Sequence, residues 1–159
     1  MQNTSHQTHH PHRDPASLSR IALQATLHCL TGCAIGEVVG MVIGTAFGWG
    51  NLETTVLALV LAFVCGYTLT AVPLLRARFS PAVAARLALA SDTASITVME
   101  IVDNLLMWVI PGAMDATLDT LLFWGSLALS LVLAGVAAFP VNRWLIARGR
   151  GHAVVHTHH

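Results

Sequence analysis

The sequence predicts an all-α integral membrane protein built as a bundle of four transmembrane helices. Hydrophobic residues make up 55% of the 159 residues and charged residues only 10%, whereas a soluble domain carries about 25% charged residues. The chain contains four long apolar segments, at residues 20–48, 54–75, 87–110 and 118–140. Each is long enough to cross about 30 Å of hydrocarbon as a helix. A membrane β-barrel is excluded because it needs many strands of alternating polarity.

The basic residues predict the orientation of the four spans. All eight are arginines, and none lies in the connections 49–53 or 111–117. They are Arg13, Arg20, Arg76, Arg78, Arg86, Arg143, Arg148 and Arg150. By the positive-inside rule, both termini and the central loop face the cytoplasm. The alanine-rich, lysine-free composition is typical of a GC-rich bacterial genome, so we expect a multi-pass protein of the bacterial inner membrane.

The domain organisation follows from this pattern. A four-helix transmembrane domain at residues 18–148 is flanked by tails at 1–17 and 149–159, which hold eight of the nine histidines. Both tails are disordered by composition. Their histidines are either incidental to solvated tails or form a cytoplasmic trap for zinc, copper or nickel. A polar tail precedes a full-length first span, so we interpret that span as a retained helix and not a cleaved signal.

The first span, which includes "HCLTGCAIGEVVGMVIGTAFG", combines two patterns that each repeat every fourth residue. The first is a glycine row: Gly32, Gly36, Gly40, Gly44 and Gly48. Chained G-x-x-x-G spacing predicts a groove in which another helix packs closely. The second pattern lies beside it and contains Cys29, Cys33, Glu37 and Met41, while His28 begins the glycine row itself.

The third span carries a matching set of polar residues in "SDTASITVMEIVDNLLM". These are Asp92, Met99, Glu100, Asp103 and Asn104. Counted from Arg20 and Arg86 at about 1.5 Å per residue, the two sets agree in depth. His28 is level with Asp92, Cys33 with Met99 and Glu100, and Glu37 with Asp103. If the two spans are neighbours, these residues form one buried site.

The buried carboxylates have no basic partner inside the spans, because every arginine lies at a span end. An uncompensated carboxylate in a membrane takes up a proton or binds a cation. The alternative is a set of protonated acids that hydrogen-bond to one another and to neighbouring polar groups, and so only hold helices together. The neighbouring groups would be Asn104, Ser91, Ser95 and Thr97.

The ligand types favour copper or zinc, since thiol, thioether, imidazole and carboxylate groups occur together. The predicted metal ligands are His28, Cys29, Cys33, Glu37, Met99, Glu100 and Asp103, supported by Asp92 and Asn104. Cys29 and Cys33 project in parallel from one helix, which disfavours a disulfide, and Cys65 is expected to serve packing. A haem would need His28 together with Met41, Met99 or a partner chain.

We therefore expect a membrane protein that binds a transition-metal ion for transport or delivery, in contact with the lipid bilayer. One alternative is a structural subunit that docks in a complex through its glycine row, and another is a small membrane redox enzyme. Enzyme activity is disfavoured, because no catalytic triad or metalloprotease motif occurs. Nucleotide and nucleic-acid motifs are also lacking. Four helices are few for a transport pathway, which a homodimer or a membrane-protein partner would complete.

Three segments resemble an uncharacterised bacterial family of small four-span membrane domains, a domain of unknown function. They are "HCLTGCAIGE" in the first span, "SDTASITVMEIVDN" in the third and "NRWLIARGRGHAVVH" after the fourth. The resemblance covers residues 20–156. It implies a four-helix membrane fold and supplies no activity. It associates His28, Cys29, Cys33, Glu37, Glu100, Asp103 and Asn104 with the signature segments of the family.

Overall fold

The computed structural model describes residues 15–148 and confirms the all-α fold. The described range contains four helices: α1 (Pro15–Ala46), α2 (Asn51–Arg76), α3 (Pro81–Val109) and α4 (Leu121–Ala147). Each is long and apolar enough to cross a membrane, so the chain is a multi-pass membrane protein. The histidine-rich tails at 1–14 and 149–159 lie outside the described residues. Residues 15–17, assigned to the first tail, instead form the start of α1.

α1 ends before the predicted apolar segment does, because Gly48 reverses the chain. Gly48 has a φ of 66°, a conformation that glycine adopts without steric cost. Its N–H donates to the Thr45 carbonyl at 3.1 Å, and the Trp49 N–H donates to the Gly44 carbonyl at 2.9 Å. These two bonds form a Schellman motif, which closes a helix C-terminus. The prediction that Gly48 belongs to the packing row is therefore wrong, and a Cβ there would meet nothing within 4 Å.

α4 extends beyond its predicted span. It begins after Thr120, whose hydroxyl accepts a hydrogen bond from the Phe123 N–H at 3.2 Å and caps the helix. It then continues through Pro140 to Ala147. The predicted apolar segment stopped at residue 140 because polar Asn142 follows. The helix continues because a proline is tolerated within a membrane helix when neighbouring groups satisfy the freed backbone.

The helices form a ring in chain order, with α4 packed back against α1. α1 and α3 lie diagonally opposite and still touch across the centre. We call the end that holds the connections 47–50 and 110–120 the connection end, and the opposite end the arginine end. The described arginines at the arginine end are Arg20, Arg76, Arg78, Arg86, Arg143 and Arg148.

α1 packs against α2 through a ladder of small residues. Residue numbers rise by four along α1 and fall by four along α2 from one rung to the next. The rungs are Gly32 with Gly66, Gly36 with Ala62, Gly40 with Ala58, and Gly44 with Thr54. A Cβ on Gly32 would lie 2.7 Å from the Gly66 Cα, well inside the normal carbon contact distance of about 3.5–4.0 Å. The glycines therefore allow the two backbones to touch, as the predicted groove requires.

α4 carries a second stripe of small residues that faces the bundle interior. The stripe consists of Ser126, Ser130, Ala134, Ala138 and Asn142, all of them buried. Their spacing of four keeps them on one face of the helix. This stripe brings hydroxyl and amide groups against α1 and α3, where the predicted site lies.

Tryptophans lie towards both ends of the bundle with much of their side chains exposed. Trp49, Trp108 and Trp124 lie towards the connection end. Trp144 lies towards the arginine end, where the Arg148 guanidinium sits 4.1 Å from the centre of its ring system. Tryptophan is enriched where a membrane meets water. The rings therefore indicate the two edges of the hydrocarbon layer.

Candidate cation site

The ligand-type residues of α1 face the interior because each follows a residue that packs on α2. One step along a helix rotates the side chain by about 100°. Since Gly36 faces α2, Glu37 turns towards the centre of the bundle and α3. Cys29 and Cys33 occupy the same inward row and are also buried. Met41, which continues that row, lines a cavity described below.

Three carboxylates meet where α1 crosses α3, and we call them the acidic cluster: Glu37, Glu100 and Asp103. Their exposed fractions are 3%, 4% and 3%. Glu37 lies close enough to Asp103 and Glu100 for their negative charges to repel. The Ser130 hydroxyl of α4 donates a hydrogen bond to Asp103. The cluster is thus assembled from three helices.

Four oxygens of the acidic cluster are buried without a hydrogen-bond partner among the described residues, namely both of Glu37 and both of Glu100. Asp103 lies beside Glu37 and Cys33 beside Glu100, but neither contact has hydrogen-bond geometry. The segments 21–75 and 87–142 contain no basic residue apart from histidine. Leaving a charged oxygen buried in this way costs several kcal/mol, of order ~3 or more. These carboxyl groups therefore require a proton or another cation.

A cavity of about 120 Å³ lies beside the acidic cluster. Its inner wall includes Glu37, Glu100, Asp103 and Asn104, and its outer wall includes Trp49, Ala113, Met114, Ala116 and Leu118. This volume holds several water molecules. The cavity therefore connects the cluster to the connection end of the bundle.

The connection end carries negative charge. The Asn51 amide donates to the Asp115 carboxylate at 3.0 Å and ties the connection at 110–120 to the start of α2. The Thr117 hydroxyl donates to Asp119, and this bond holds the pKa of Asp119 below its usual range. With Glu53, these are the charged residues described at this end, and all are acidic. The field at the cavity mouth thus attracts cations, while the opposite end carries the arginines.

A second polar group lies nearer the arginine end. Asp92 has an exposed fraction of 0%. Its Oδ1 accepts hydrogen bonds from the Ser91 hydroxyl at 2.7 Å and from the Cys29 thiol at 3.9 Å. Cys33 lies beside Glu100 and Glu37 beside Asp103, as the depth match predicts. At Asp92 the neighbour from α1 is Cys29, where the depth match predicts His28.

Asn142 joins three helices beside this group. Its amide nitrogen donates to the Thr26 hydroxyl of α1 and the Ser95 hydroxyl of α3, each at 2.9 Å. Sequence reasoning missed both Asn142 and Ser130. The signal that was available is their shared spacing of four with the buried alanines of α4. This hydrogen-bonded set ties α1, α3 and α4 together on the arginine-end side of the acidic cluster.

His28 does not lie with the acidic cluster. Its Nε2 lies 3.2 Å from the Thr70 hydroxyl of α2, so His28 continues the α1–α2 ladder by one rung. The reason is its register, since it occupies the row that faces α2. Met41 is thirteen residues further along α1, about 20 Å at the helical rise. His28 and Met41 therefore cannot be the two axial ligands of one haem.

The predicted ligands do not converge on one point. Cys29 and Glu37 lie eight residues apart on one helix, about 12 Å, which is too far to share an ion. Among residues 15–148, no three histidine, cysteine or acidic side chains are arranged around a single metal position. Met99 packs in the core with Cys33. Asn104 lines the cavity, and its amide donates to the Glu100 carbonyl at 2.9 Å.

Comparisons with known proteins place the chain in a family without assigning an activity. Neither the curated proteins nor the solved structures contain a match to it. The profile of one family, described as a domain of unknown function (DUF4396), matches residues 20–151, which hold all four helices apart from the first turn of α1. The inward-facing polar residues of α1, α3 and α4 all lie within that match. The chain therefore belongs to the DUF4396 family.

Proposed function

We propose that this protein carries a transition-metal cation across the bacterial inner membrane, with the acidic cluster as its intramembrane binding position. The cation enters from the connection end, passes through the cavity and is attracted by the negative charge of the acidic cluster, where one or two of the carboxylates bind it at a time. The observation that carries this proposal is the set of buried, unpartnered oxygens of Glu37 and Glu100 on the cavity wall. A purely structural role would pair these oxygens with donors, as Asp103 is paired with Ser130.

The charge distribution supports entry from the connection end. The described charges at the cavity mouth are acidic, and the arginines lie at the far end. A cation approaching the mouth is therefore attracted by the surface and then by the cluster. In the orientation expected from the arginines, the connection end faces away from the cytoplasm. Entry at that end is therefore entry from the non-cytoplasmic side.

The loose arrangement of the carboxylates suits transport better than storage. Since no three histidine, cysteine or acidic side chains of residues 15–148 are fixed around one position, the cluster offers charge and several oxygens without a closed cage. Passage through a membrane requires a site that a cation enters readily and leaves again. The acidic cluster is thus a transit position.

The two alternatives have less support. The glycine row is filled by α2 of the same chain, with backbone contact along the ladder. It therefore leaves no groove for a partner helix. A redox enzyme would need thiols that an organic substrate can reach, but Cys29 and Cys33 are 2% and 1% exposed, so only a species as small as an ion could reach them.

The proposal is tested by metal flux into liposomes that contain the full-length protein. Zinc(II) and copper(I) are supplied separately outside, and an enclosed metal-sensitive dye reports entry. Glu37→Gln and Glu100→Gln keep shape and a hydrogen-bonding group but remove the charge. We expect each to slow flux by roughly tenfold or more, equal to about 1.4 kcal/mol.

The matched control is Glu53→Gln, since Glu53 is the remaining glutamate of the chain and is exposed at the start of α2. It removes one acidic charge from the cavity mouth and leaves the acidic cluster intact, so flux should fall much less than in the two cluster variants. Flux of both metals no faster than in empty liposomes would refute the proposal, and so would equal rates in the wild-type protein and both cluster variants.

A further inference from the structure

Sulfur-containing side chains are concentrated along one route through the bundle. Met41, Met107 and Met114 line the cavity. Met99 and Cys33 belong to the same buried core cluster, and Met99 directly precedes Glu100 on α3. All the methionines of residues 15–148 therefore lie on the cavity wall or immediately past it.

The route continues towards the arginine end. Cys33 lies beside Glu100, which itself lines the cavity. Cys29 is one helical turn further on, about 6 Å away along α1, and its thiol contacts Asp92 at 3.9 Å. Sulfur-containing side chains and carboxylates thus follow one another from the cavity to the second polar group.

Gap-filling does not account for this distribution. Methionine is a flexible filler of irregular cores, and a filler role would place its side chain against apolar neighbours. Here three methionines line a cavity whose wall also includes Glu37 and Glu100, the two residues with unpartnered oxygens. On the lipid-facing surface of the described helices, the exposed large apolar side chains include no methionine.

We propose that the cargo is a soft monovalent ion, copper(I), which moves from the methionine thioethers of the cavity to the thiol of Cys33. This inference rests on the proposed function, because the carboxylates of the acidic cluster supply the negative charge that the ion needs. Thioether and thiol ligands select copper(I) over harder ions. The transfer exchanges ligands and involves no change of oxidation state.

The geometry disfavours zinc as the principal cargo. A zinc site needs three or four nitrogen, sulfur or oxygen ligands around one position, and the described residues do not gather three such side chains from histidine, cysteine and acids. A soft monovalent ion is satisfied by two or three sulfur atoms. A chain of thioethers therefore suits successive transfer of such an ion.

The test uses silver(I), a redox-inert probe for copper(I), titrated into the full-length protein in detergent. In this background the eight tail histidines are replaced by asparagine, so that they do not bind metal. Met41→Leu and Met107→Leu conserve volume and should each weaken silver binding by roughly tenfold. Cys33→Ser should weaken it as well, whereas Cys65→Ser, on α2 and off the route, should leave it unchanged.

A second readout does not depend on any variant. The methyl resonances of Met41 and Met107, observed by NMR of methyl-labelled protein, should shift on saturation with silver(I). Unmoved resonances, or unchanged silver affinity in both leucine variants, would overturn the inference. If zinc flux still depends on Glu37 and Glu100 in that case, the proposed function stands and only the soft-ion assignment fails. Flux of neither metal would instead refute the proposed function.

Discussion

Gly36→Ala is expected to destabilise the bundle although it adds a single methyl group. The new Cβ would meet the backbone of Ala62 and the carbonyl carbon of Leu61, closer than at the Gly32 rung, where the distance is 2.7 Å. Normal carbon contact begins at about 3.5 Å. The two helices must therefore move apart by roughly 1 Å, since the obstacle is backbone and cannot change rotamer. Overpacking of this kind costs about 1–3 kcal/mol.

The assay is reversible unfolding of the purified protein in mixed micelles by increasing the fraction of denaturing detergent. The matched control is Gly125→Ala on α4, because a Cβ at Gly125 would meet nothing within 4 Å. Removing a glycine from a helix interior should make that variant equal to or slightly more stable than the wild type, by up to about 1 kcal/mol. Equal stabilities of Gly36→Ala and Gly125→Ala would refute the close-packed ladder.

Further predictions concern topology, the polar interior and pH. Alkaline phosphatase fused after His159 should be inactive, and activity there would contradict cytoplasmic termini. Asn142→Ala should lower stability by about 1–3 kcal/mol, since two buried hydroxyls lose their donor; an unchanged unfolding midpoint would argue against that network. Under oxidation, Cys33 should form a disulfide with a cysteine introduced by Glu100→Cys. Failure to form it would contradict the contact between α1 and α3 at this depth. Metal binding should weaken as pH falls, because protons compete with the metal for the ligand carboxylates. Binding that does not depend on pH would show that these carboxylates are not metal ligands.

Much of the architecture could be predicted from the sequence because membrane helices obey strong length and charge rules. The four spans, the glycine groove and the depth match of Cys33 with Glu100 all follow from helical period and rise. The end of α1 was misplaced, since Gly48 continues the spacing of four but ends the helix through its backbone conformation. Spacing alone does not distinguish a packing glycine from a capping one.

The direction in which each side chain points was harder to predict. His28 was assigned to the metal site, yet it faces Thr70 because the glycine row packs on α2 and not on α3. The ring order of the helices decides this, and it is not encoded in any one span. α4 is apolar around most of its circumference, so periodicity of hydrophobic residues does not identify its inner face. The only signal for Asn142 in the sequence is its spacing of four with small residues of α4, and the cavity emerges only from the assembled bundle.

The presence of a cation site in the acidic cluster is tested most directly by infrared difference spectroscopy of carboxyl groups on metal binding. The full-length protein with asparagine in place of the tail histidines is saturated in turn with silver(I) and zinc(II). If cations bind where we propose, protonated-carboxyl absorption should be replaced by carboxylate absorption on binding. The change should shrink in Glu37→Gln and Glu100→Gln and persist in Glu53→Gln. No carboxyl change with either ion, or the same change in all three variants, would contradict a cation site at these residues.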